Sequence, residues 1–134
     1  MKNNLLLTLL FFVSINAFAG SSAVSDIAID TANGTVQGSM LGARNSGDPN
    51  AFIACQVSGY GTYSSVTGSS FTFCMANTTA NGFVYCWNGI PEVAEAAASV
   101  NDTSLIAFYW DPATGSTGGE CTSVVINNAS WLIE

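Results

Sequence analysis

The chain has 134 residues, with nine Asp and Glu, two Lys and Arg, and no histidine. Without histidine, no Ser-His-Asp or Cys-His arrangement can be built. An acidic surface also repels nucleic-acid phosphates and anionic lipid headgroups, so nucleic acid is not an expected partner.

Met1–Ala19 reads as a signal peptide. Lys2 gives it a weakly positive start, Leu5–Val13 is an apolar run broken only by Thr8, and Ala17-Phe18-Ala19 fits a small-x-small cleavage site before Gly20. The run is about half the ~20 residues that a bilayer crossing needs, so no membrane span is expected once the leader is removed. Cleavage takes Lys2 away and leaves nine carboxylates with Arg44, a net charge of −8. Schiff-base and Ser-Lys chemistry leave with the last lysine. Residues 20–134 are then one secreted or periplasmic domain, bacterial in style. Within it, 20–50 reads as loosely structured N-terminal strands and loop, and 51–134 as the compact core.

Val24–Ile29 and Thr35–Leu41 are expected as short strands around an Asn33-Gly34 turn, a good hairpin signal. Gly42–Asn50 reads as a loop. Ala51–Ser58 is the next strand, with Phe52, Ala54 and Gln56 on one face and Ile53, Cys55 and Val57 on the other. Gly59–Ser69 carries a turn or an irregular edge. Phe71–Ala76 and Phe83–Asn88 form the clearest hairpin. Phe71, Phe73 and Met75 share one face, as do Phe83, Tyr85 and Trp87.

Ile90–Val100 is the expected helix. Pro91 suits its first position, and Glu92 and Glu95 suit the positive end of its dipole. Ile90, Val93, Ala97 and Val100 line one face at helical spacing. Leu105–Trp110 and Cys121–Ile126 make a second hairpin across a long turn that starts at Asp111. Trp131–Ile133 would close the fold. This order implies an α+β protein: an antiparallel sheet of about five to seven strands with one helix packed on it.

Four cysteines behind a leader imply two disulfides, in one of three connectivities. A turn symmetric about Ala80 sets Cys74 opposite Cys86. That favours a Cys74–Cys86 bridge with Cys55–Cys121, and the two other pairings stay open. Zinc is not expected, because neither Cys-x-x-Cys spacing nor histidine is present.

The Cys74 to Cys86 hairpin, the alanine-rich helix, the run Ser104–Asp111 and the run Cys121–Ser130 together resemble a loose group of small secreted bacterial proteins. The resemblance covers roughly the last half of the chain. It implies a fold and brings no activity with it. The turn between Asp111 and Cys121 is longer here, with an added Gly-Ser-Thr stretch.

Carboxylate chemistry survives the composition. Ile27–Gly34 resembles the hydrophobic-Asp-Thr-Gly segment of aspartic proteases, but Ala32 stands where that family has Gly, and two aspartates sharing a proton would require a dimer. A strand that ends in an Asn-Gly turn, with Asp30 starting the turn, is the simpler reading. No local signature selects a glycosidase pair among the remaining acids. Calcium could be held by Asp111 and Glu120 with loop carbonyls, assisted by Asp48 or Asp102, although calcium wants six to eight oxygens and no EF-hand is present. No other cofactor is expected.

Aromatic rings with amides and hydroxyls suit recognition of sugars or protein side chains. Tyr60, Tyr63 and Trp131 are the expected exposed set, while Trp87 and Trp110 are expected in the core. The sequence therefore points away from an enzyme and toward a non-catalytic binding or adhesion module for an extracellular glycan or protein. The alternatives are a structural subunit that adds strands edge to edge, for which the missing lysines matter, and a secreted inhibitor or toxin presenting Gly59–Ser70.

Overall fold

The computed structural model describes residues 26–60 and 69–128, so the leader, Tyr63 and Trp131 lie outside the described residues. The elements are β1 (Ala28–Asp30), β2 (Thr35–Ser39), α1 (Met40–Asn45), β3 (Phe52–Tyr60), β4 (Ser69–Thr78), β5 (Gly82–Asn88), α2 (Pro91–Ala98), β6 (Leu105–Trp110) and β7 (Gly118–Asn127). The strands make one sheet in the order β1-β2-β6-β7-β5-β4-β3. Neighbours run antiparallel except β5 and β7, which are parallel. The protein is α+β, as expected.

Local chemistry starts the sheet. The Asp30 carboxylate accepts the backbone N–H groups of Ala32 (3.0 Å) and Asn33 (3.1 Å) and the Asn33 side-chain amide (2.7 Å). That closes the turn between β1 and β2 by the self-bonding that aspartate favours. Gly34 follows at φ 61°, and a Cβ there would sit 2.1 Å from the Trp110 carbonyl oxygen. Only glycine fits both demands. Its own carbonyl accepts the Trp110 N–H at 2.9 Å, which ties the first turn to the end of β6.

Residues 26–50 are more ordered than their composition suggests. β2 pairs with β6 along its length, and Val36 is buried in the core. The expected strand Thr35–Leu41 stops at Ser39, and part of the expected loop is α1. Ser39 is the reason: its hydroxyl accepts the Gly42 N–H at 2.8 Å, an N-cap that turns the chain into a helix. α1 packs against both β2 and β3, so the sheet curls around one core. That core joins Val36, Ala43, Ile53, Val84, Phe108 and Trp110 with three of the cysteines.

α2 is shorter than the expected Ile90–Val100. It buries Ala94 and Ala97 and leaves Ile90 exposed. It packs against β3, β4 and β7, and the buried side chains of β4 are small: Thr72, Cys74 and Ala76 are fully buried. Small residues on both surfaces let helix and sheet approach closely.

The β4–β5 register is the expected one, with Cys74 opposite Cys86 and Thr78 opposite Gly82. The favoured bridge is nonetheless absent. The disulfides are Cys55–Cys74 and Cys86–Cys121. Antiparallel partners alternate between close pairs and wider hydrogen-bonded pairs. Cys55 and Cys74 are partners with Cα atoms 4.0 Å apart, the close kind. Cys74 therefore turns its backbone groups toward β5, and its pairing with Cys86 is of the wide kind. The Tyr85 N–H, which donates to the Thr117 carbonyl at 3.1 Å, sets the same phase from the other side of β5. Cys86 reaches across the parallel joint to Cys121, with Cα atoms 4.9 Å apart.

That joint depends on Gly118 at φ 153°, where a Cβ would lie 2.1 Å from the Tyr85 carbonyl oxygen. Thr122 is the extra residue of a bulge, since Tyr109 faces Ser123 while Trp110 faces Cys121. The Cys86–Cys121 bridge closes 35 residues and Cys55–Cys74 closes 19. Replacing Cys86 and Cys121 together by Ala should cost about 4 kcal/mol and the other pair about 3 kcal/mol, because the longer loop loses more closure entropy. Urea unfolding of the two double variants checks this order, and a larger loss for Cys55/Cys74 would contradict it.

Candidate binding surface

Strands with one covered face must show the other to solvent. In β3, β4 and β5, the side chains that face α2 are small. Those on the opposite face are large and aromatic. Register places them in rows: Phe52, Asn77 and Phe83; then Ala54, Met75 and Tyr85; then Gln56, Phe73 and Trp87; then Ser58 and Phe71. The rings touch along and across these rows. Phe71 and Trp87 are stacked with centroids 6.0 Å apart, Phe73 and Tyr85 at 5.5 Å, and Phe83 and Tyr85 at 5.9 Å. Phe52 meets Phe83 at 6.2 Å in a tilted contact.

This face is open. Phe52 is 38%, Trp87 41% and Phe83 46% exposed, and Phe71, Phe73, Met75 and Tyr85 are half-buried among them. A connected apolar patch of that kind marks an interaction surface more often than a lone exposed ring does. The expectation that Trp87 is core is corrected: strand alternation puts it opposite Cys86, on the side away from the helix. Trp110 is buried as expected, and its indole N–H donates to the Gly115 carbonyl at 2.9 Å.

The face is also uncharged. From Pro49 to Pro91 the sequence has no Asp, Glu, Lys or Arg. All of β3, β4 and β5 lie inside that run, and the carboxylates belong to the rest of the molecule. Glu120, opposite Trp87 across the parallel joint, stands at the border of the patch. Gln56 and Asn77 are the amides within it. This charge-free run was visible in the sequence, and with the aromatic alternation it is the signal that finds the surface.

The sequence-predicted residues are dispersed. Tyr60 ends β3, and its side chain lies outside the described residues, as do Tyr63 and Trp131. Asp111 opens the turn after β6, where its carboxylate accepts the Ala113 N–H at 2.9 Å. Glu120 sits in β7. The acids expected to assist them are engaged elsewhere. Asp102 pairs with Arg44 at 3.1 Å, with both side chains exposed. Asp48 accepts the Thr79 N–H (2.6 Å), the Thr79 hydroxyl and the Asn50 N–H (2.9 Å). Among the described residues, no three Asp, Glu, His or Cys converge on a metal-sized site. A concavity of about 220 Å³ lies between β1, β2 and β6, beside Asp30, Gln37 and Tyr109.

No family model, curated protein or solved structure matches this chain.

Asp48 holds the β4–β5 turn beside the patch. Its pKa is lowered, first by the Thr79 hydroxyl and then by the Thr79 and Asn50 N–H groups, all of which favour the carboxylate. A lowered folded pKa means that its support is complete above the unfolded value and is lost as pH falls through the folded one. An NMR titration should place the Asp48 midpoint below the ordinary 3.8. Thr79→Ala should move that midpoint upward, and an unmoved midpoint would contradict the contact.

Proposed function

We propose that this protein is a secreted, non-catalytic binding module whose contact surface is the aromatic face of β3, β4 and β5, and that its ligand is a neutral glycan. The observation that carries this reading is the coincidence of stacked, solvent-open rings with three strands that hold no charged residue. A charged ligand finds no opposite charge to pair with on such a face. A neutral polymer with apolar ring faces and many hydroxyls gains dispersion from the rings and hydrogen bonds from Gln56, Asn77 and Ser58.

An open sheet face suits an extended chain or an insoluble surface better than a small molecule, which prefers a concave site. Export is supported by the leader-like Met1–Ala19 and by two disulfides with no free cysteine among the described residues. Among those residues, no helix is long and apolar enough to cross a membrane. The composition supports the non-catalytic part: after the leader it holds neither histidine nor lysine.

The test is depletion of the protein from solution by insoluble neutral polysaccharides such as β-glucan and chitin. Trp87→Ala should weaken capture roughly tenfold, as truncation of an exposed anchor ring commonly does. Val125→Ala, on an exposed residue of the other half of the sheet, should leave capture unchanged. No capture by any neutral polysaccharide, or equal capture by the Trp87 variant, would overturn the reading.

A further inference from the structure

Sheet edges offer unpaired backbone donors and acceptors, and natural proteins guard them with lysine, proline, bulges or very short strands. β1, at one edge, is short and ends in Asp30. β3, at the other, is guarded by none of these devices. It runs Phe-Ile-Ala-Cys-Gln-Val-Ser-Gly-Tyr, with no charged residue and no proline, and pairs with β4 in continuous register from Phe52 to Tyr60. Among the described residues nothing pairs with its outer edge.

The close Cys55–Cys74 pair sets which backbone groups face outward. Residues in close pairs turn their N–H and C=O away from the strand they face. On β3 these are Ile53, Cys55, Val57 and Gly59. α1 packs against β3. It is about 9 Å long, against about 30 Å for the strand, and the short link 46–51 ties it to the strand's beginning. A helix of that length cannot cover the whole of the strand's edge.

We infer that this edge joins a second copy of the same chain, β3 against β3 in antiparallel register about Val57. In that register Val57 faces its own mate and Cys55 faces Gly59, so the outward donors and acceptors of these three residues meet one another. Gln56 faces Ser58 on the aromatic side.

Three observations select a second copy arranged symmetrically. The β1 edge is too short and too acidic to serve as the mate, which disfavours head-to-tail filaments. Two strongly acidic molecules meet through their uncharged halves, with the carboxylates held apart. The two aromatic faces also become one continuous platform across the joint. The inference rests on the edge alone and does not require the glycan reading.

Light scattering on the disulfide-bonded protein across a concentration series tests it. The expected result is a monomer–dimer equilibrium that tightens with added salt, since the net charge opposes association. Gly59→Pro removes one outward N–H from each copy at a position with open space. It should weaken the dimer roughly tenfold or more. Gln56→Lys/Ser58→Lys should abolish the dimer, because each lysine faces another. Gln56→Lys/Ser58→Glu should restore it. A monomer at every concentration, a mass that keeps growing beyond the dimer, or a dimer indifferent to all three variants would overturn the inference. Near-UV circular dichroism confirms that each variant is folded.

Discussion

Among the described residues the sheet is covered on one face only, and the rest of the architecture answers to that. Among the described residues seven strands are backed by two short helices: α1 gives Ala43 to the core, and α2 packs against β3, β4 and β7 with Ala94 and Ala97 buried. For β1, β2, β6 and β7 the uncovered face is mixed and polar enough to meet water. For β3, β4 and β5 it is not. Phe52, Phe71, Phe73, Phe83, Tyr85 and Trp87 make a face that a larger protein would place beneath a second layer. Their retention in solvent, within a stretch of chain free of charge, is the observation on which the proposed contact surface rests.

The inner side explains how so small a core holds that arrangement. α2 offers alanines and β4–β5 offer cysteine, alanine and valine, so the layers approach closely with little volume to fill. The disulfides compensate for the small buried area. Cys86–Cys121 matters most to the architecture, because it crosses the parallel joint where two antiparallel halves of the sheet meet. Asn88, buried beside it, donates its side-chain amide to the Cys121 carbonyl at 2.9 Å and accepts the Ile90 N–H at 2.6 Å. One residue thereby links β5, β7 and the approach to α2.

Much of this was legible in the sequence where the signal is local. The alternation in Phe52–Val57 and Phe71–Met75, the turn about Ala80, the proline-started helix and the strand Leu105–Trp110 all follow from short-range patterns. What escaped depends on distance or on choice between equivalents. Alternation says that Cys86 and Trp87 point to opposite faces, but the helix decides which face is inside, and its alanines match the small residues. Register says that Cys74 faces Cys86, but the hydrogen-bonding phase decides whether a bridge can form. α1 was hidden by the glycine in its middle, although Ser39 three residues earlier is a usable cap. The parallel pairing of β5 with β7 joins segments separated by a helix and a strand, and nothing local announces it. The aromatic face of β3, β4 and β5 was not legible locally: Tyr60 and Tyr63 sit in a Gly- and Ser-rich stretch that reads as surface, whereas the exposure of Trp87 depends on which face the helix covers.

The most direct measurement is an amide and aromatic NMR map of the isotope-labelled protein titrated with soluble neutral β-glucan and chitin oligosaccharides. The account predicts that shifts concentrate on the rings of Phe52, Phe73, Phe83, Tyr85 and Trp87 and on the side-chain amides of Gln56 and Asn77, with β1, β2 and β6 silent. Shifts centred on the cleft beside Asp30 and Tyr109, or no shifts at all, would contradict it.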